Sequence, residues 1–333
     1  MKKTNVGIIG ATGMVGQNYI RLLHNHPWFK VSFVAASPSS AGKPYHEAVK
    51  GRWHMEQDVP EEVKDLMVYD AANVKEASKH CEFVFSAASL DKAATRELED
   101  SYAAADLPVV SNNSAHRGTS DVPVLIPEIN PHHVDIIPLQ RKSRGWNKGF
   151  IAVKPNCSVQ SYMAPMHALR LAGFEISHAI VTTMQAVSGA GFPGVPSLNI
   201  VDNIVPFIGG EEEKSEQEPK KIFGSIKNGV FVADESIKIS AHCNRVPVVD
   251  GHSACVSLKF SGSSPPITEI VNIFESFRAA PQELNLPFAP KRPIIVRTEN
   301  DRPQPKKDRE ADKGMAVTVG RIRPCNVFDL RFV

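Results

Sequence analysis

The stretch Lys154-Pro155-Asn156-Cys157-Ser158 places a cysteine between a short apolar run, residues 150–153, and a helical stretch that ends near Gly173, with Pro165 as a candidate kink. A cysteine at a helix start feels the partial positive charge of that end, which favours thiolate, the nucleophilic form, over thiol. A buried structural cysteine is the competing reading, but Asn156 and Ser158 give Cys157 a polar setting. Cys81, Cys243, Cys255 and Cys325 lie in or beside apparent strands and read as structural.

A cysteine nucleophile needs a base, usually histidine. Among twelve histidines, His252 stands out at the end of Cys243-Asn244-Arg245-Val246-Pro247-Val248-Val249-Asp250-Gly251-His252. There an Asp-Gly turn separates two strand-like runs, VPVV and ACVSLKF, and sets the histidine at a strand end. Arg245 could offer a planar fork to a carboxylate. Taken singly, a DGH turn and an exposed arginine are both common and need do nothing. After a strand over residues 179–184, Gln185-Ala186-Val187-Ser188-Gly189-Ala190-Gly191-Phe192-Pro193-Gly194 is dense enough in glycine to form a close-approach loop. Gly209-Gly210-Glu211-Glu212-Glu213-Lys214 opens a polar helix. Acids at a helix start are expected from the dipole alone, so without context the run reads as a capped, solvated helix.

The elements that must position these groups begin with a strand over residues 5–9 (NVGII). The turn Gly10-Ala11-Thr12-Gly13-Met14-Val15-Gly16 follows, then a helix that Pro27 should stop, then a strand over residues 31–36. Strand, glycine turn, helix and strand make the unit that binds dinucleotides. Gly10 would allow the tight turn, Gly13 the approach of a pyrophosphate, and Gly16 the packing of helix on strand; Thr12, Met14 and Val15 complete the candidate phosphate turn. An ordinary strand-to-helix turn is the alternative for a GxxGxxG triplet. An acid at the end of the second strand would read the ribose 2′-hydroxyl of NAD. Here that place holds Ser37, Ser39, Ser40 and Lys43, which suit a 2′-phosphate and hence NADP; a surface loop touching nothing is the alternative.

The pattern continues with a strand over residues 83–87, a helix over 91–105 and a strand over 108–111. The loop from Asn112 to Arg117 follows at a strand's carboxyl end, where ligands gather, although spacing alone leaves it open between ligand contact and plain turn. Residues 138–149 (PLQRKSRGWNKG) read as a basic surface loop.

The 333 residues allow two domains with real cores. Lys plus Arg at 38 against Asp plus Glu at 36 leaves a net charge of +2, which gives no reason to expect a nucleic-acid or membrane partner. Five cysteines without a CxxC pair argue against a zinc knuckle or a thioredoxin-like motif, and no metal is expected. An odd, sparse cysteine set fits a reduced, cytoplasmic protein. The opening MKKTNVGIIGATG is interrupted by glycines too soon for a signal peptide, and no apolar stretch is long enough to cross a bilayer.

Read together, five ordered motifs resemble aspartate-β-semialdehyde dehydrogenases of the archaeal and fungal branch. They are GATGMVGQ (10–17), PNCS (155–158), QAVSGAG (185–191), GEEEK (210–214) and CNRVPVVDGH (243–252), with later matches in RPQPKKDRE (302–310) and VTVGRIR (317–323). The resemblance covers nearly the whole length. It implies an α/β protein with a Rossmann-type NADP domain over residues 1–155 and an α+β catalytic and dimerisation domain over residues 156–333, assembled as a homodimer or homotetramer. It implies NADPH-dependent reduction of β-aspartyl phosphate to aspartate semialdehyde with release of phosphate. By matched position, Cys157 resembles the thioester-forming nucleophile, Gln185 the residue that orients the acyl group, and His252 the acid–base catalyst. Arg245 resembles the clamp on the substrate carboxylate, Glu211 the partner of its amino group, and Lys214 and Arg117 the phosphate binders, with Asn112 beside them. Ser188 and Gly189 fall with the cofactor contacts. The family also carries a His-Asn-Thr turn and a small-residue helix that would follow Val333; that segment would affect cofactor affinity and domain closure, not the nucleophile or base.

Archaeal malonyl-CoA reductases resemble the same branch and share the cysteine and NADPH chemistry; Glu211 favours an amino-bearing substrate. N-acetylglutamyl-phosphate reductase is less similar in CNRVPVVDGH and GEEEK. A non-catalytic NADP-binding sensor would keep the fold without needing Cys157, Gln185, Arg245 and His252 together.

Overall fold

The computed structural model describes residues 2–333. The chain divides into two compact units. Among the described residues the first comprises 2–124, 132–154 and 226–231, and the second 125–131, 155–225 and 232–333. Among the described residues no helix is long and apolar enough to cross a membrane.

The first unit is built on a six-stranded parallel sheet of β1 (Thr4–Ile9), β2 (Phe29–Ala36), β3 (Val68–Asp70), β4 (Phe83–Ser86), β5 (Val109–Ser111) and β6 (Ile151–Val153). Their order, β3-β2-β1-β4-β5-β6, reverses between β1 and β4 and so opens a crevice at the carboxyl ends of those two strands. Residues Val6, Ile8, Val31 and Val34 are buried with Ile20 and Tyr45, as expected for strands covered on both faces.

Two details depart from expectation. The helix after the glycine turn is Met14–Leu23, ending before Pro27: His24 already leaves the helical conformation (ψ 125°) and Asn25 follows in a left-handed one (φ 55°). The basic segment expected as a loop is instead a helix, Ile137–Arg144, with a proline in its first turn and Gly145 as a left-handed cap (φ 70°). Its buried residue, Gln140, donates to the Asp121 and Ile151 carbonyls and accepts from Ile151 N–H, while Arg141, Lys142 and Arg144 lie in the last turn where the dipole favours cations.

In the second unit β7 (Ile176–Gln185) is the longest strand. A small hairpin of β8 (Ser225–Lys227) and β9 (Val230–Val232) follows, and its core residues, 226–231, belong to the first unit. Strands β10 (Lys238–Arg245), β11 (Ser253–Phe260), β12 (Ile294–Val296), β13 (Val317–Val319), β14 (Arg323–Pro324) and β15 (Leu330–Phe332) complete the unit. Five of them form one sheet in the order β10-β7-β11-β15-β14. β10 runs parallel to β7, whereas β11 is antiparallel to both β7 and β15. The run VPVV, expected as a strand, is not one: β10 stops at Arg245, and Pro247 has no N–H to offer a ladder. Cys81 and Cys243 are buried, and burial pushes the Cys81 thiol up to about 12. Cys255, by contrast, is exposed on the sheet.

Candidate active site

Strand register brings three of the candidate residues to one end of this sheet. Gln185, the last residue of β7, pairs with Arg245, the last of β10. Ser253, the first of β11, pairs with Met184, so His252 stands beside the end of β7. Cys157 comes from elsewhere, in the turn before helix Gln160–Leu171 rather than in its first turn.

The candidate nucleophile and its histidine partner meet directly: His252 Nε2 lies 3.1 Å from Cys157 Sγ. The Ala186 N–H donates to His252 Nδ1 at 2.9 Å. A backbone N–H can only donate, so the neutral ring carries its proton on Nε2, facing sulfur. That tautomer makes His252 a hydrogen-bond donor suited to a thiolate. The ring also has a steric limit: a Cβ at Gly189 would stand 3.0 Å from His252 Cε1 and 2.9 Å from Arg245 Nη1.

The turn carrying Cys157 is held by its neighbours. Asn156 Oδ1 accepts from Ser158 N (2.9 Å) and Ser158 Oγ (2.6 Å). Asn156 Nδ2 donates to both oxygens of Glu211 (3.0 and 2.9 Å), and Asn156 N donates to Glu218 Oε2 at 2.6 Å. Glu211 and Glu218 lie two turns apart on one face of helix Glu211–Ile222, which explains how one helix grips both the side chain and the backbone of Asn156. The same helix caps the edge strand β10: Glu212 accepts from Cys243 N at 3.2 Å and Glu216 from Ala241 N at 3.1 Å. The acidic run is therefore not a solvated face, and of its first three glutamates only Glu213 is exposed.

Glu211 also accepts from Lys214 Nζ at 2.7 Å and from Gln185 Nε2 at 3.2 Å. Burial alone would raise its carboxyl, but the hydrogen bonds from Lys214, Asn156 and Gln185 and the Lys214 charge outweigh it, holding Glu211 below the usual carboxylate range. Arg245 is buried, with Nη1 donating to the Ala186 carbonyl at 2.7 Å. An ionised carboxylate and a buried guanidinium thus flank the cysteine–histidine pair. The pair also borders a cavity of about 700 Å³ lined largely by apolar side chains such as Pro281, Phe288 and Phe332. Glu211 and Arg245 do not line that cavity, and the side of the pair they occupy is the candidate substrate site. The sequence showed Asn156 only as part of the polar setting of Cys157, and it gave no sign of Glu218.

Arg117 and Asn112 belong to the first unit. Arg117 Nε donates to Lys154 O at 3.0 Å and its Nη2 to Asn112 O at 3.1 Å, and Asn112 N bonds Ser86 O at 2.8 Å. At the glycine turn, Gly10 has φ 77° and a Cβ there would stand 2.3 Å from Ala87 O; at Gly16 it would stand 2.2 Å from Gly10 O. At Gly13 the nearest atom would be 3.6 Å away, and Gly13 caps helix Met14–Leu23 without any side-chain bond. An exposed backbone at an uncapped helix start, flanked by Thr12, Met14 and Val15, fits a pyrophosphate. At the end of β2, Ser37 and Ser39 are exposed with their hydroxyls 3.0 Å apart, and Lys43 Nζ donates to Ser39 O at 3.2 Å. Ser40 is buried, and its hydroxyl accepts from Arg52. Ser188 N donates to Val249 O at 3.1 Å, which places Ser188 and Gly189 in the second unit's loop.

Comparison with known proteins agrees with this geometry. Residues 5–137 match the family model of the semialdehyde dehydrogenase NAD binding domain, and residues 166–333 that of the semialdehyde dehydrogenase dimerisation domain. An aspartate-semialdehyde dehydrogenase of Cryptococcus neoformans is 43% identical over 98% of this chain and 90% of its own length. One from Methanothermobacter thermautotrophicus is 45% identical over 99% of this chain and 92% of its own. The crystal structure of aspartate semialdehyde dehydrogenase with NADP from Candida albicans superposes with a TM-score of 0.90 at 38% identity, covering 99% of this chain and 92% of that one. The chain belongs to the aspartate-semialdehyde dehydrogenase family, a family of NADP-dependent oxidoreductases.

Proposed function

We propose that this chain converts L-aspartyl 4-phosphate to L-aspartate 4-semialdehyde with NADPH and releases phosphate, a step towards lysine, methionine and threonine. The carrying observation is the 3.1 Å contact of Cys157 Sγ with His252 Nε2 beside an ionised Glu211 and a buried Arg245. Cys157 thiolate attacks the acyl carbon; the C–S bond forms, the bond to phosphate breaks, and phosphate leaves with its electron pair. By the family resemblance, the backbone N–H at Cys157 is our candidate oxyanion donor. NADPH, when bound across the turn at Gly10, Gly13 and Gly16, supplies the hydride that reduces the thioester. Cys157 is then the leaving group, and His252 Nε2–H is placed to receive the thiolate.

Arg245 suits the substrate carboxylate and Glu211 its ammonium, with Gln185 orienting the acyl group. Glu211 is already saturated by Asn156, Gln185 and Lys214. An ammonium arriving there displaces Lys214, which is then available for the phosphate. Exposed positions on the large sheet, such as Ile180 and Cys255, support a homodimer or homotetramer. Free cysteines throughout support a reduced, cytoplasmic setting.

The test is reduction of NADP+ by the purified protein with L-aspartate semialdehyde, with and without phosphate. A strong signal that requires phosphate is expected. No signal, or the same rate without phosphate, would overturn the reading, and malonyl-CoA with NADPH would then be tried.

A further inference from the structure

At the ribose end of the dinucleotide crevice the structure holds a cation that lies outside the usual sequence window. Arg52 follows Ser40 by twelve residues, beyond the short helix Tyr45–Ala48, yet its Nη2 donates to Ser40 Oγ at 2.7 Å. Its Nε donates to Ala48 O at 2.9 Å, so two bonds fix the guanidinium plane beside the turn that ends β2.

The main chain of Arg52 is tied to the other half of the crevice. Gln17, 1% exposed, donates through Nε2 both to Arg52 O (2.8 Å) and to Thr12 O (2.9 Å) in the glycine turn, and its Oε1 accepts from His54 N (2.8 Å). One residue therefore links the pyrophosphate turn to the ribose turn. Among the described residues Arg52 forms no ion pair with a carboxylate. Asp70, opposite Ala36 in the register, turns its Oδ1 back to Ala72 N at 2.9 Å.

A guanidinium has five N–H donors. With two engaged, Arg52 keeps three on a plane already oriented, together with an unneutralised charge. Lys43 offers a point charge on a flexible stem, and Ser40 has its hydroxyl already bonded to Arg52. We propose that Arg52 reads the 2′-phosphate of NADP and sets the preference over NAD, with the exposed hydroxyls of Ser37 and Ser39 as its partners. This rests on the NADP-dependent reading above.

Equilibrium binding of NADP+, NAD+ and 2′,5′-ADP to the whole chain tests it without reference to turnover. Arg52→Ala is expected to weaken NADP+ and 2′,5′-ADP at least about tenfold while leaving NAD+ within about twofold, with Arg52→Lys between and Lys43→Ala smaller. An Arg52→Ala protein that keeps the wild-type preference for NADP+ overturns the assignment. So does one that loses NAD+ equally, because the residue would then act only through Gln17 and the shape of the turn. If the wild-type chain binds NAD+ as tightly as NADP+, the cofactor reading itself fails and this inference falls with it.

Discussion

The turn at residues 10–16 and the turn that carries Cys157 each join a strand to a helix, yet they are held in opposite ways. The first is made of backbone: its limits are contacts of 2.2–2.3 Å that a Cβ at Gly16 or Gly10 would make with main-chain oxygens. The second is made of side chains: Asn156 is gripped by Glu211 and Glu218, and Cys157 meets a histidine 95 residues away. A backbone site tolerates many neighbours but no side chain of its own. A side-chain site tolerates backbone variation but needs partners from several elements at once.

Substitutions can sharpen or break this contrast. The largest effect belongs to Cys157→Ser, expected to lose at least about a thousandfold in turnover with dinucleotide binding unchanged; single-turnover kinetics that still show acyl transfer would remove the covalent route. Next is Gly189→Ala. The nearest atoms to its Cβ are the ends of Arg245 and His252, so kcat should fall about tenfold or more while the melting temperature barely moves. A fall in stability without a fall in kcat would mean that the loop moves instead of the catalytic side chains. Gly16→Ala should reverse the pattern, costing about 1–3 kcal/mol in stability, because the atom it meets is a backbone oxygen that cannot swing aside. Denaturant melts of the two glycine variants side by side give the comparison.

The smallest effect is expected from acid. Glu211 is depressed in the folded state, so its contribution is full above its unfolded value near 4.5 and is lost as pH falls through the lower folded value. The gap in melting temperature between wild type and Glu211→Gln should therefore be widest above about pH 4.5 and close on acidification. A gap that stays constant with pH would mean that Glu211 contributes by shape rather than charge.

The same contrast explains what could be read from the sequence. The glycine turn and its flanking strands are contiguous, so periodicity and spacing found them. Cys157, Arg245 and His252 stood out by residue type and setting, but roles for Gln185 and Glu211 came from matched motifs, not from spacing. Glu218 sits inside a polar run whose burial is a tertiary fact, and Arg52 is brought to Ser40 by an intervening helix. In the helix at Ile137–Arg144 basic residues mask the apolar pattern, although Pro138 and Gly145 are start and stop signals. At VPVV the β-branched valines favour a strand and Pro247 opposes one; β10 ends at Arg245.

The hairpin of β8 and β9 carries a consequence for synthesis. Phe231 N bonds Ser120 O at 2.8 Å and the Phe231 ring packs 4.7 Å from that of His133, so the first unit includes residues translated long after its sixth strand. On a ribosome, β1 to β6 can pair while this corner waits open until residue 231 clears the exit tunnel. A nascent chain stalled before that point would present an unfinished surface, and that interval is where a chaperone would find it.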